Sequence, residues 1–193
     1  MSNPSQIQFP KPMIGFAAYS GTGKTTLLLK LLPLLKQTGL RIGMVKHAHH
    51  DIEMDYPGKD SYELRKAGAD EMLITGANRC AWIHECSDPS HEPTLEETLA
   101  LLNPDRLDLV LVEGFKAAAF PKIELHRPSL GKPLIHPNDP NIVAFAFDDE
   151  ANTPNLTLPK LALNDPEAIA TFILNYFGLK TSNIFALHET KSA

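Results

Sequence analysis

One short segment constrains the fold of this 193-residue chain more than any other. Residues 18–26 read Ala-Tyr-Ser-Gly-Thr-Gly-Lys-Thr-Thr, between an apolar run (13–19) that predicts a buried strand and a leucine-rich segment (24–36) that predicts a helix. This is the pattern of a phosphate-binding loop, except that Ala18 stands where the strict motif has its first glycine. An alanine there requires only a backbone conformation that alanine can adopt.

The residue types of this loop match the chemistry of binding phosphates. Glycines allow successive N–H groups to curl around phosphate oxygens, and the N-terminus of the following helix adds its positive dipole. Lys24 would supply a mobile positive charge, and Thr25 a hydroxyl for Mg²⁺. We therefore predict phosphate contacts from seven consecutive residues: Ser20, Gly21, Thr22, Gly23, Lys24, Thr25 and Thr26.

Composition supports a local anion site and argues against several classes of protein. The first 50 residues contain six Lys and Arg and no acid, whereas residues 51–193 contain twelve against 23 acids. The net charge of −5 argues against a nucleic-acid coat, and no apolar run approaches the roughly 18 residues of a membrane span. Two cysteines, Cys80 and Cys86, cannot form a disulfide framework, so we expect a cytoplasmic protein.

A second candidate residue, Glu113, follows an apolar strand predicted at 107–112. Parallel sheets place ligand groups at the carboxyl ends of their strands, and phosphate-loop proteins place an acid that organises Mg²⁺ there. The usual acid is Asp, although Glu followed by Gly, as in Glu113-Gly114, occurs in relatives such as dethiobiotin synthetase. We predict that Thr25 and Glu113 lie near Mg²⁺.

A stretch rich in histidines and acids follows the second predicted strand (41–47) and leaves three interpretations open. Its side chains could ligate zinc or nickel, line the phosphate pocket, or form a solvated loop. Asp51 and Asp55 are candidate Mg²⁺ ligands, and the sequence does not decide whether they or Asp60 face the metal. The histidines concerned are His47, His49 and His50.

The sequence contains few signals that indicate which base the bound nucleotide carries. The guanine-specific Asn-Lys-x-Asp motif is absent from the sequence. The strand predicted at 142–147 ends at Asp148, whose carboxylate could accept hydrogen bonds from guanine N1 and N2, although acids that end strands in solvent are common. Asp148 is therefore the candidate base contact.

Strands and helices alternate along the chain, which predicts an α/β fold. We expect a single-domain P-loop NTPase over residues 13–179, with a mostly parallel sheet flanked by helices and flexible ends at 1–12 and 180–193. Residues 76–79 predict the turn of a hairpin. The remaining predicted elements are helices at 60–67, 94–102 and 165–177, and strands at 70–75, 80–85 and 121–127.

The first predicted helix is apolar nearly all round, because it has seven leucines from Leu27 to Leu35. Leaving apolar surface in water costs about 25 cal/mol per Å². Two kinds of cover would explain the pattern equally well: a second copy of the chain, which would make a dimer, or other segments of the same chain.

Four longer strings, in this order and spacing, resemble the molybdopterin-guanine dinucleotide biosynthesis adapter family, MobB. They are FAAYSGTGKTTLL from Phe16, VKHAHHD from Val45, PGKDSYELRKAGA from Pro57 and LDLVLVEGFK from Leu107, and the likeness spans residues 13–127. The resemblance implies a homodimeric GTP-binding protein that depends on Mg²⁺ and hydrolyses GTP slowly. It also implies a partner, the MobA guanylyltransferase, which joins GMP to molybdopterin for bacterial molybdoenzymes; molybdopterin and those client enzymes are further candidate partners.

Two other functions share parts of this pattern. A small-molecule ligase or kinase of the dethiobiotin synthetase kind would have the same loop and Glu113-Gly114, but no glycine-rich substrate loop follows them. A metal-delivery GTPase, like those of urease and hydrogenase maturation, would place cysteines beside the histidines, whereas both cysteines lie more than 30 residues after His47.

Intrinsic hydrolysis is expected to be slow, because fast hydrolysis needs an oriented water and added positive charge. The three glutamines, at 6, 8 and 37, lie before the first predicted strand or at the far end of the first helix. Arg65 and Arg79 could supply charge, but nothing in the spacing aims either at the site. The sequence therefore predicts a nucleotide-binding accessory protein rather than an efficient enzyme.

Overall fold

The computed structural model of this chain describes residues 7–48, 52–86, 88, 90–148 and 157–180. The chain divides into two units, Met1–His47 with Thr94–Ala193, and Ala48–Pro93. The described helices are α1 (Lys24–Gln37), α2 (Asp60–Lys66), α3 (Leu95–Ala100) and α4 (Pro166–Tyr176), and none of them is long and apolar enough to cross a bilayer. The described strands are β1 (Met13–Ala17), β2 (Ile42–Lys46), β3 (Glu71–Thr75), β4 (Cys80–His84), β5 (Leu109–Glu113), β6 (Lys122–His126), β7 (Ile142–Phe147) and β8 (Lys160–Ala162).

The first unit is built on a parallel sheet with the strand order β2-β5-β1-β6-β7-β8. Strand β1 lies between β5 and β6, and Phe16 is level with both Glu113 and Ile123. Because all six strands point the same way, the segments that follow them meet at one edge of the sheet. The α/β class is confirmed, and the loop after β1 lies at the middle of this edge.

The helices begin where local sequence signals place them. Thr94 and Glu97 form a reciprocal capping box at the start of α3, each side chain accepting the backbone N–H of the other residue. Helix α4 begins with Pro166 after Asp165, whose carboxylate accepts an N–H of the first turn. Helix α1 follows Gly23 and has no side-chain cap, which leaves N–H groups of its first turn for a ligand.

Two apolar clusters cover opposite faces of the large sheet. Alternate residues of β5 point to opposite faces, and Leu109 and Leu111 join one cluster while Val110 and Val112 join the other. The first cluster includes the buried faces of α1 and α4, and the second includes the buried side of α3. Helices therefore flank the sheet on both sides, as the sequence predicts.

Other segments of the same chain cover most of the apolar surface of the leucine-rich helix α1. Six of the seven leucines between 27 and 35 lie in or against the cluster that α1 shares with α4. Leu29 is the exception, with 69% of its surface exposed. The leucines of α1 therefore give no support to a dimer.

The second unit contains the antiparallel pair β3–β4 and helix α2. Residues 76–79 join the two strands, which confirms the predicted hairpin, and Leu73 lies directly opposite Trp82. Arg65 of α2 is buried and forms ion pairs with Glu53 and Glu85. A buried guanidinium needs such partners, so this network holds α2 to the segments around it.

Part of the predicted flexible start packs against the first unit. Ile7 is buried in the second apolar cluster, and its N–H donates to the Ala119 carbonyl at 3.0 Å. The Pro12 carbonyl accepts the Val110 N–H at 2.9 Å. The other residues predicted to be flexible, 1–6 and 181–193, lie outside the described residues.

Gly15→Ala is expected to lower the free energy of unfolding by about 1–3 kcal/mol, because the core has no room for a methyl group there. A Cβ on Gly15 would lie 2.5 Å from Cε2 of Phe120 and 2.9 Å from Cγ of Lys122. Gly76→Ala is the matched control, since its Cβ would meet only the Arg79 carbonyl oxygen at 3.8 Å. Urea unfolding compares the two variants, and wild-type stability in Gly15→Ala would contradict the packing.

Candidate nucleotide-binding site

Two glycines shape the loop between β1 and α1. Gly21 and Gly23 have φ angles of +83° and +95°, a region that residues with side chains rarely adopt. Between them Thr22 is buried, and its N–H and hydroxyl both donate to the Tyr19 carbonyl, at 3.3 and 2.8 Å. Ala18 is not among the residues with positive φ, so the one departure from the motif is accommodated without backbone strain.

Glu113 lies between two lysine ammonium groups at the end of β5. Its Oε1 is 3.5 Å from Lys24 Nζ, and its Oε2 is 3.6 Å from Lys46 Nζ. Only 12% of the Glu113 side chain is exposed, so these attractions are stronger than they would be on an open surface. The fold thus brings together Lys24 and Glu113, both predicted from the sequence, and adds Lys46 from the end of β2.

The residues expected near Mg²⁺ fit that ion by the chemistry of their donors. Thr25 offers a hydroxyl in the first turn of α1, immediately after Lys24. Glu113 offers a carboxylate, and Mg²⁺ prefers oxygen ligands of this kind. Both Glu113 oxygens already have a lysine ammonium group beside them, so a cation bound there would compete with Lys24 and Lys46.

Lys116 adds positive charge on the turn after Glu113. Its Nζ lies 5.8 Å from the ring centroid of Tyr19, a residue of the loop. Partial burial, followed by the positive charge of Lys24, lowers the pKa of Lys116 below its ordinary value. Sequence reasoning missed this residue, whose only signal was its position three residues after Glu113.

The turn after Glu113 packs tightly against the residue that follows β2. A Cβ on Gly114, which has φ +98°, would lie 2.5 Å from Cβ of His47. The His47 N–H donates to the Glu113 carbonyl at 2.8 Å, and its ring stacks on Phe115 with the centroids 4.6 Å apart. Phe115 itself has φ +49°, which is uncommon for a residue with a side chain. Of the three histidines considered in the sequence, His47 is therefore placed beside Glu113.

Arg127, which follows β6, contacts the loop directly. Its Nε–H donates to the Thr22 carbonyl at 2.7 Å, and its guanidinium forms an ion pair with Asp148. Sequence reasoning did not single out Arg127; the available signal was a charged residue at the end of a strand in the sheet. Asp148 thus lies on the loop's side of the sheet, bound to Arg127, and its contact with a base stays a prediction.

The remaining candidate metal ligands belong to the second unit. The Ser61 hydroxyl and the Tyr56 N–H donate to Asp55 and, in that order of size, hold the pKa of its carboxyl below the ordinary value. Within the described ranges, no group of three or more His, Cys, Asp or Glu side chains is arranged to hold a metal ion. The assignment of Asp55 to Mg²⁺ stays a prediction. Outside the described residues lie His49, His50 and Asp51.

Comparison with known proteins identifies the family. Residues 13–148 match the family model described as molybdopterin guanine dinucleotide synthesis protein B, MobB. The chain belongs to the MobB family. The resemblance noted in the sequence is thereby confirmed, and the match includes the loop, Glu113, Arg127 and Asp148.

Individual MobB relatives match most of the chain. It is 43% identical over 166 residues to the molybdopterin-guanine dinucleotide biosynthesis adapter protein of Escherichia coli (strain K12), covering 86% of this chain and 93% of that protein. The protein of the same name from Haemophilus influenzae is 37% identical over 166 residues, covering 86% and 89%. The crystal structure of Bacillus subtilis MobB matches with a TM-score of 0.66 and 25% identity, covering 88% of this chain and 99% of that one.

Lys24→Met is expected to raise the pKa of Lys116, because it removes the neighbouring positive charge that disfavours protonation. Burial still acts on Lys116 in this variant, so its pKa should stay below the ordinary value. Lys30→Met is the control, since Lys30 lies on the same helix and is not a cause of the shift. NMR titration of the Lys116 side chain measures both, and equal midpoints in wild type and Lys24→Met would contradict the proximity.

Proposed function

We propose that this chain is a Mg²⁺-dependent GTP-binding adapter that assists the MobA guanylyltransferase in attaching GMP to molybdopterin. Membership of the MobB family supports a role in molybdenum cofactor biosynthesis. Nucleotide binding rests chiefly on one observation, the loop with two left-handed glycines before an uncapped helix, with Lys24 beside Glu113.

Positive charge at the loop supports a polyphosphate ligand. Lys24 and Lys46 lie near the single carboxylate of Glu113, and Lys116 is close enough to Lys24 for their repulsion to shift a pKa. A triphosphate would offset this excess of positive charge and relieve the repulsion. The N–H groups at the start of α1 add donors and the helix dipole.

Thr25 and Glu113 are the residues that would hold Mg²⁺ beside the phosphates. When bound, the ion supplies positive charge to the phosphate oxygens. Lys24 would contact the phosphates from the start of α1, and the loop N–H groups would orient them. Asp51 and Asp55 stay sequence-based predictions as Mg²⁺ ligands.

The nucleoside is proposed to lie on the Arg127 side of the loop. A shallow cavity there is lined by Thr26 and Lys30 of α1 and by Asn164 after β8. Asp148, at the end of β7, is the proposed guanine contact, because a carboxylate can accept from N1–H and from the N2 amino group. Adenine presents an acceptor at N1, so a carboxylate in this position would favour GTP over ATP.

We propose that intrinsic hydrolysis is slow and that binding is the main activity. Arg65, one candidate source of catalytic charge, is buried in the second unit and paired with Glu53 and Glu85. Phosphate-loop proteins without a positioned glutamine and an arginine finger turn over at roughly 10⁻³ per second. A partner in the cytoplasm that supplied the missing group would couple the nucleotide state to its own activity.

The comparisons favour the adapter function over the two alternatives. Both curated relatives quoted above are named as adapter proteins, not as ligases or kinases. The adapter function is therefore favoured over both.

Lys24→Ala is expected to weaken GTP binding by about 10- to 150-fold, the loss typical of a charge-assisted contact. Lys36→Ala, in the last turn of the same helix, is the control and should bind GTP as wild type does. Isothermal titration with GTP and with ATP, each in the presence of Mg²⁺, measures the affinities.

Two results would contradict the proposal. Wild-type affinity for GTP in a folded Lys24→Ala variant would contradict the assignment of the loop to the binding site. A wild-type chain that binds neither GTP nor ATP would contradict nucleotide binding altogether. Repeating the titration with the MobA guanylyltransferase tests the adapter role, because a partner that binds the GTP-bound chain better must raise the affinity for GTP.

We also propose a homodimer, joined through the β3–β4 hairpin rather than through α1. A two-stranded hairpin is marginally stable in water without further cover. Two large apolar side chains on one face of this hairpin, Leu73 and Trp82, are exposed on the chain. A second copy covering them would bury these side chains in both molecules.

Leu73→Glu is expected to convert the dimer to a monomer, because a charge would replace an apolar contact opposite Trp82. Leu101→Glu is the matched control, since Leu101 is exposed to the same extent, 62%, but lies after α3 in the first unit. Light scattering at micromolar concentration gives the masses. A monomeric wild type, or a dimeric Leu73→Glu, would contradict this surface.

A further inference from the structure

Arg127 connects the ends of four adjacent strands. Its guanidinium donates to the Thr22 carbonyl at 2.7 Å and to the Asn164 side-chain oxygen at 3.4 Å, and it forms an ion pair with Asp148. These partners follow β1, β8 and β7, and Arg127 itself follows β6, in the spatial order β1-β6-β7-β8. Neighbouring strands lie about 4.8 Å apart. One side chain therefore spans much of the sheet edge at which the segments after the strands meet.

The contact with Thr22 acts on the backbone of the phosphate loop. All described peptide bonds are trans, so the carbonyl of Thr22 and the N–H of Gly23 point in opposite directions. Holding the carbonyl therefore turns the Gly23 N–H away from Arg127. Because the N–H groups are what such a loop offers to phosphates, fixing this peptide fixes one of the donors.

The guanidinium group of Arg127 is engaged in these hydrogen bonds. Each of its three guanidinium nitrogens has one of the partners named above. A Cβ on Gly23 would lie 3.3 Å from one terminal nitrogen, which shows how closely the guanidinium approaches the loop. Arg127 therefore acts through the loop, and Asp148, which takes the ion pair, orients it.

We propose that Arg127 is a positioning residue for the phosphate loop, oriented by Asp148, and that this pair sets the loop's affinity for any polyphosphate. The inference rests on the proposed nucleotide-binding function. It differs from a guanine contact at Asp148 in one measurable way. The affinity of a polyphosphate that lacks a base depends on the Arg127–Asp148 pair but not on a base contact.

Binding of GTP and of inorganic tripolyphosphate to the full chain tests this proposal. Arg127→Gln should weaken both ligands by about 10-fold or more. Arg127→Lys keeps the charge but loses the planar set of donors, so it should weaken both ligands nearly as much. Asp148→Asn should also weaken tripolyphosphate, and the double variant with Arg127→Gln should lose little more than Arg127→Gln alone.

Arg41→Gln is the matched control. Arg41 donates to the Asp105 carbonyl at 2.8 Å and to the Asp108 carboxylate at 2.7 Å, but it lies at the amino ends of β2 and β5. The Arg41→Gln variant should bind tripolyphosphate with wild-type affinity, whatever effect the substitution has on urea unfolding. This control separates a general loss of stability from a loss of loop positioning.

Wild-type affinity for tripolyphosphate in folded Arg127→Gln and Arg127→Lys would overturn the inference. If Arg127→Gln does not fold, Arg127→Lys decides. An Asp148→Asn variant that keeps wild-type affinity for tripolyphosphate would also overturn it, whether or not that variant gains affinity for xanthosine triphosphate. A wild-type chain that binds neither GTP nor tripolyphosphate would contradict the proposed function, which is a different result.

Discussion

The place of β1 in the sheet decides what the candidate site can contain. Because β1 pairs in parallel with β5 on one side and β6 on the other, the segments after these strands share one edge. The register sets Lys46 level with Glu113, so lysines from two different elements reach one carboxylate. Another strand order would separate these groups without changing any local sequence.

Features that depend on neighbouring residues were predictable from the sequence. The phosphate loop is a contiguous motif with a strand before it and a helix after it, so its surroundings were predictable as well. Glu113 could be found because a continuous apolar run indicates a strand buried on both faces, and the first polar residue after such a strand lies at the ligand edge. The hairpin turn at 76–79 likewise follows from local turn residues.

Contacts between distant segments could not be predicted in this way. Arg127 and Thr22 are 105 residues apart, and their hydrogen bond depends on β6 pairing with β1. Lys116 reaches Tyr19 only because the turn after Glu113 folds as it does. The leucines of α1 predict that the helix is covered, but periodicity does not say whether the cover comes from the same chain or from another copy.

The ion pair between Lys24 and Glu113 has a consequence for how ligands influence each other. Lys24 has an anionic partner within the chain, so a phosphate must compete with Glu113 for it. A divalent cation that occupies Glu113 removes this competitor. For a chain that binds GTP and Mg²⁺ as proposed, the two ligands would bind with positive heterotropic cooperativity, each raising the affinity for the other by the same factor. Loss of the cation would then favour release of the nucleotide without any rearrangement of the fold.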